Sequence, residues 1–323
     1  MKRFKVLIIV VIISLVTVFS AFKIDDKKQD KKDKDYIKWV DCNVSYEVMK
    51  KAYEYDLEFH NQKDVDFSFI KALAYLATKN GNKFNVAVDL KNLDELVRKL
   101  REGKKIDDFY GGNKYYKYYV EAYDAIFMEF IGEYKEHGSH QIKYGLKNYH
   151  PFPKGFWYNH SDDFGVGRNY GFKRRHLGHD MFGSIGTPII AIEGGTVTEL
   201  GWNRYGGWRI GIRSFDKKRS YYYAHMRKDR PYIKGLKKGD KITAGQVIGY
   251  LGVTGYSMKE NVNMNTKPHL HLGMQLIFDE SQVQGMNEIW IDMYQISKFL
   301  SLNRAEVKKF DDDYKSVNIK RAI

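Results

Sequence analysis

A single cysteine, Cys42, stands among 323 residues. No intrachain disulfide can form, and no cysteine cluster can hold a metal. Acidic residues are in deficit, 40 against 54 Lys and Arg, for a formal net charge of +14. That excess suits a polyanionic partner, whether nucleic acid, anionic lipid or an anionic cell-wall polymer, without choosing among them. There is no internal repeat, and no His-Glu-x-x-His pair occurs, so a glutamate base of that kind is not expected. What is present argues for folded protein: 43% of residues are hydrophobic and 15% aromatic, enough for two cores.

Lys2, Arg3 and Lys5 precede an apolar run from Val6 to Phe22, broken only by Ser14, Thr17 and Ser20. At about 1.5 Å per residue the run approaches the roughly 30 Å hydrocarbon core of a bilayer. No A-x-A site follows, and Phe19 and Phe22 crowd the positions where a cleavage site wants small residues. Residues 1–24 therefore suggest an N-terminal membrane or export segment: a retained signal anchor, or a signal peptide if it is cleaved. The chain beyond would be extracytoplasmic, which disfavours nucleic acid as partner. Residues 25–35 alternate Lys and Asp almost without an apolar side chain, as a solvated stalk does.

Residues 36–135 have helical spacing: Tyr46, Met49, Tyr53 and Leu57 after a capping Ser45, then Phe69, Leu73 and Leu76, then Leu93, Leu96, Val97 and Leu100, then Tyr119, Tyr123, Phe127 and Phe130. A small helical domain is expected there. The tyrosines of Tyr115-Tyr116-Lys117-Tyr118-Tyr119 fit core positions of such a bundle better than a sugar- or base-stacking surface. Periodicity breaks down over 136–160, around Gly138, Gly145, Pro151, Pro153 and Gly155, which marks a linker. From 161 to 300 the texture turns to short Ile-, Val-, Tyr- and Trp-rich runs punctuated by glycine, the pattern of many strands. Residues 301–323 are charged and suggest a basic surface tail. The fold class is thus α+β, with a small helical domain followed by a mostly antiparallel β-sheet domain.

Five of the ten histidines, His176, His179, His225, His269 and His271, fall inside the β-region. His269 and His271 alternate with Leu270, Leu272, Met274 and Leu276, so both imidazoles leave the strand on the face opposite the leucines, about 6.5–7 Å apart. Tyr221, Tyr223 and His225 project from one side of their strand, with His225 beside its end. His176 and Asp180 would lie roughly 13 Å apart on an extended strand, too far for one ion, so a turn is required. Gly178 permits one. Imidazole and carboxylate are ligand types that suit Zn²⁺.

Further motifs accompany these: Phe164-Gly165 and Arg168 ahead of Arg174-Arg175-His176-Leu177-Gly178-His179-Asp180, then Gly186-Thr187-Pro188, Glu193-Gly194-Gly195-Thr196-Val197, Tyr223-Ala224-His225-Met226, Lys238-Gly239-Asp240, Thr254-Gly255 and Pro268-His269-Leu270-His271. In that order they make the stretch from Ser161 to Gln275 resemble the lysostaphin-type (LytM-type) zinc endopeptidases of bacterial cell walls. The resemblance implies a sheet domain of the duplicated hybrid motif type and peptidoglycan as substrate. It implies one Zn²⁺ per chain, held by His176, Asp180 and His271, with a fourth position left for water as in catalytic sites. It casts His225 and His269 as catalytic histidines that assist the attacking water, the oxyanion and the leaving amine. His179 falls at a variable position of the motif and is expected to be neither ligand nor base. A non-catalytic wall-binding or partner-binding relative would be marked by loss of one of the five residues, and all five are present. Similarity of Gly239-Asp240 to Gly249 with biotinyl-type hairpins lacks the Met-Lys-Met that such domains carry. One departure stands out: Tyr256–Lys267, with Asn261, Asn263 and Asn265, intervene before Pro268, either shaping substrate choice or decorating the rim.

Overall fold

Helical periodicity becomes packing in the first third of the chain. The computed structural model describes residues 36–322 except 63–64, 170–172, 265, 284 and 286. Five helices come first: α1 (Tyr46–Phe59), α2 (Phe69–Asn80), α3 (Val86–Arg101), the single turn α4 (Asp107–Tyr110) and α5 (Lys114–Phe127). Ser68, Asn85 and Asn113 cap α2, α3 and α5 by accepting backbone N–H bonds. Ser45 sits at the N-cap of α1 but makes no capping bond; Gln295 Oε1 accepts from Tyr46 N instead, at 2.9 Å. The inward faces carry Met49, Leu73, Leu76, Leu93, Leu96, Tyr123 and Phe127, all fully buried, whereas Leu57 stays exposed. Each such Leu or Phe contributes about 1.5–3 kcal/mol by leaving water.

The strands follow in order: β1 (Ile131–Glu136), β2 (Ile142–Leu146), β3 (Tyr158–His160), β4 (Gly167–Asn169), β5 (Lys173–Arg175), β6 (His179–Gly183), β7 (Pro188–Ile190), β8 (Gly195–Asn203), β9 (Gly207–Ser214), β10 (Arg219–Ala224), β11 (Lys241–Ile242), β12 (Val247–Tyr250), β13 (His269–Leu276) and β14 (Ile289–Ile291). Helix α6 (Tyr294–Leu300), β15 (Glu306–Phe310), β16 (Asp313–Val317) and β17 (Lys320–Ala322) complete the described chain. The main sheet runs β11-β8-β9-β10-β13-β6-β3, antiparallel throughout. β14 pairs with the C-terminal half of β13, along the edge that β6 does not reach. Asp216-Lys217-Lys218 turns β9 into β10, with Lys217 left-handed at φ 64°. On β13, Leu270, Leu272, Met274 and Leu276 are buried in the core together with Tyr221 and Tyr223 of β10. The alternate residues therefore form the other face, where the site lies.

Three expectations are corrected. The stretch 136–160 is no bare linker, since it contains β2 and β3, and the helical stretch ends in a strand, β1. Residues 301–323 are no loose tail: β15 and β16 form a hairpin, and β17 pairs with β1. Its strands hide in the sequence because Glu306, Lys308, Lys309, Asp313, Lys315, Lys320 and Arg321 interrupt any apolar alternation. Residues 37–323 form one compact unit, so the helices and the sheets are not separate bodies. An apolar helical surface needs cover, and α6 supplies it: Phe299 stacks on Phe69 with ring centroids 5.7 Å apart and meets Tyr53 edge-on. Fully buried Arg219 of β10 donates to the Ala125 carbonyl of α5 at 2.7 Å and is neutralised by Glu193. The expected export segment, 1–24, and stalk, 25–35, lie outside the described residues. Among the described residues no helix is long and apolar enough to cross a membrane.

Candidate metal centre

Strand register brings the first two candidate ligands together. Asp180 of β6 lies directly opposite His271 of β13, so their side chains share one face. His176 arrives from the bend between β5 and β6, which breaks the extended path to Asp180. His176 Nε2 lies 3.1 Å from Asp180 Oδ1 and 2.9 Å from His271 Nδ1, and His271 Nδ1 lies 3.0 Å from Asp180 Oδ1. Gly178 is needed for a reason other than backbone freedom. A Cβ there would come within 2.5 Å of His271 Nε2, so any side chain would displace that ring.

The donor set fits a zinc ion. Two imidazoles and a carboxylate offer atoms within 4.8 Å of one another. Their spacings of 2.9–3.1 Å approach the roughly 3.3 Å between neighbouring ligands that tetrahedral bonds of about 2.0–2.1 Å imply. Electrostatics point the same way. Burial opposes charge on His176, yet Asp163 and Asp180 outweigh it and hold the imidazole up to about 9. Burial likewise would raise the Asp180 carboxyl, but bonds from His176 and His271 keep it far below the usual carboxylate range. The site calls for positive charge.

A supporting layer fixes these groups. The Asp163 carbonyl lies 3.0 Å from His176 Nδ1 and accepts its N–H, turning Nε2 toward Asp180. Arg168 Nη2 bridges Asp163 Oδ2 at 2.6 Å and Asp180 Oδ2 at 2.7 Å.

His225 and His269 stand beside the cluster. Their ring centroids are 4.7 Å apart, and His225 is 5.9 Å from His271. Each donates Nδ1–H to a backbone carbonyl, His225 to Thr254 and His269 to Lys267, both at 2.8 Å. Each carbonyl fixes its ring and leaves Nε2 for other partners, and His269 Nε2 lies 3.8 Å from Asp180 Oδ2. Burial, then the neighbouring His269 and His271, push His225 well below the ordinary imidazole range and keep it neutral. His225 reaches this face only through a backbone reversal. Strand alternation would send it to the core with Tyr221 and Tyr223, but it lies one residue past β10 with φ 61°, a left-handed conformation uncommon outside glycine.

Residues 174–284 match the sequence signature of peptidase family M23. This part of the chain is a peptidase family M23 domain. Over 150 residues the chain is 37% identical to the L-Ala–D-Glu endopeptidase of Bacillus subtilis, a match covering 46% of this chain and 44% of that protein. Over 127 residues it is 39% identical to lysostaphin of Staphylococcus staphylolyticus, covering 39% of this chain and 22% of the relative. The chain thus spans under half the length of the curated relatives it matches. A solved structure from Ruminococcus gnavus, a candidate glycyl-glycine endopeptidase lytM, shares the fold at a TM-score of 0.54 with 24% identity, over 84% of this chain and 92% of that one.

Two further features of the M23 domain concern its surroundings. His179 pairs in register with Leu272, so alternation sends it to the core face, away from Asp180. There its Nε2 meets His160 Nδ1 at 2.7 Å and its ring packs on Tyr294. The inserted segment folds back on the cleft: Asn263 bridges to Thr254, and Ser257 N donates to Arg204 O at 3.0 Å. It carries Tyr256, whose ring lies 5.9 Å from His225 at 26°, and whose hydroxyl accepts from Arg174. Asp163, Thr254 and Tyr256 went unnoticed as site residues in the sequence. A lone Asp and an inserted Tyr carry no spacing signal, and Thr254 was visible only as part of Thr254-Gly255; contacts made in the folded chain reveal their places.

Proposed function

We propose that the chain is an exported zinc-dependent endopeptidase that hydrolyses peptide bonds of peptidoglycan. The reading is carried by one observation: three zinc-type donors, His176, Asp180 and His271, converge beside His225 and His269 at an open cleft. The M23 match and relatives that include an L-Ala–D-Glu endopeptidase and a peptidoglycan DD-endopeptidase support it. Zinc held by the three would supply Lewis acidity to the scissile carbonyl and to the attacking water. His225 Nε2 and His269 Nε2, both oriented as acceptors by their carbonyl partners, take the proton from that water and return it to the leaving amine. Once protonated, either imidazole donates to the oxyanion of the tetrahedral stage. Arg168 and Asp163 contact the ligands His176 and Asp180 and act as positioning residues. The apolar run at 6–22 serves export or anchoring, placing the domain outside the cytoplasm. The net charge of +14 holds it against anionic wall polymer, a contact that weakens with salt.

The test is release of new amino groups from purified sacculi by the zinc-loaded chain. A chelator should stop it and added zinc restore it. Metal-loaded, folded protein that releases none would overturn the reading.

A further inference from the structure

The cleft beside His271 encloses about 620 Å³, and its lining is lopsided in charge. Six cations border it, Arg168, Arg174, Arg175, Arg209, Arg213 and Lys238. Only two carboxylates do so, Glu199 and Glu288. Three of the arginines have internal work. Arg168 bridges Asp163 and Asp180, Arg209 pairs with Glu199, and Arg213 with Glu280 at 3.0 Å.

Arg174 is held differently. It donates to the Tyr256 hydroxyl, and its guanidinium carbon lies 5.5 Å from the Tyr256 ring centroid and 5.7 Å from that of Tyr205. A guanidinium laid against aromatic rings keeps its planar fork pre-organised for a carboxylate. Tyr256 is itself near-parallel to the His225 ring, so Arg174 stands one aromatic ring from the proposed reacting groups. The segment bearing Tyr256 is pinned: Asn261 accepts from Trp208 Nε1 at 2.9 Å and donates to Asp229 Oδ1 at 2.6 Å. The long insertion before β13 thus sets the position of a cation in the cleft.

We infer that the cleft selects an acidic peptide, with Arg174, placed by Tyr256 and Tyr205, receiving a carboxylate on a residue that flanks the scissile bond. A glycine chain offers no such side-chain group. This rests on the hydrolytic reading of the site.

Binding isolates the inference from the chemistry. The full chain carrying His225→Ala is titrated calorimetrically with L-Ala–D-Glu–L-Lys–D-Ala, with the same peptide bearing D-Gln, and with pentaglycine. The acidic peptide should bind about tenfold or more tightly than its amide, the worth of one charge-assisted bond. That ratio should shrink with salt, fall toward one when Arg174→Gln is added, and be partly kept by Arg174→Lys. Equal binding of acid and amide, no binding of the acid peptide, or a ratio untouched by Arg174→Gln overturns acid selection. Sacculus hydrolysis by the unmutated chain reports separately on the hydrolytic reading, so acid selection can fail while hydrolysis stands.

Discussion

Two groups of histidines lie on opposite faces of the same sheet, and they show that residue type alone does not make a site. On the cleft face, His176, His269 and His271 meet Asp180, and His225 turns in to join them. On the core face, His179 and His160 meet each other, and each packs on Tyr294. His150 lies behind, 4.5 Å from Tyr158 by ring centroids. The first group has a carboxylate at its centre and a cleft before it. The second is wrapped in aromatic rings, and burial pushes His150 down to about 3 and His160 down to about 4. In the first group carboxylates hold His176 up to about 9, whereas in the second burial disfavours charge on His150 and His160.

The sharpest way to break this contrast is to remove a cleft-face donor. His271→Ala should cut sacculus hydrolysis by about 10³-fold or more and lower zinc, measured by atomic absorption, from one per chain toward none. His225→Ala should cost about 10²–10⁴-fold in rate while zinc content stays at one, because the proposed reading gives His225 proton transfer and leaves the ion to His176, Asp180 and His271. Gly178→Ala should act through the ligand set. The added methyl displaces the His271 ring, so zinc affinity in a chelator competition should fall about 10–100-fold, as when a ligand loses its support.

Changes on the core face should look different. His179→Gln should leave zinc content and rate within about threefold of the parent and lower stability by about 1 kcal/mol, read as a shift in denaturant midpoint. A last effect concerns pH. His150 is protonated near 6.5 when unfolded but only at about 3 when folded, so the unfolded chain binds the extra proton in between. Its contribution to stability is complete above pH 6.5 and is lost as pH falls toward about 3. The melting temperature of the parent should therefore drop more steeply across that window than that of His150→Gln.

Much of this contrast was legible in sequence, for reasons that period-two geometry makes plain. His269 and His271 alternate with four leucine or methionine side chains, which assigns both to the face of β13 opposite those side chains, and the structure agrees. The helices announced themselves through Leu73, Leu76, Leu93, Leu96 and Leu100 at three- and four-residue spacing. Other features depend on partners far away in the chain. His225 belonged to the core face by alternation and escapes it by a left-handed residue that no spacing foretells. The true role of Gly178 is set by a ring 93 positions later, and Ser45 lost its capping role to Gln295 on another helix. The charged strands β15 and β16 hide because one face meets water and the partners that cover the other are remote.

The pairing of Asp180 with His271 joins positions 91 residues apart. An ion bound there ties two distant stretches of backbone into a closed loop, the kind of cross-link a chain with one cysteine cannot make for itself. Because the unfolded chain cannot assemble that ligand set, metal uptake and folding become one coupled equilibrium. The supply of zinc would then govern how long the protein survives proteolysis as well as how fast it works.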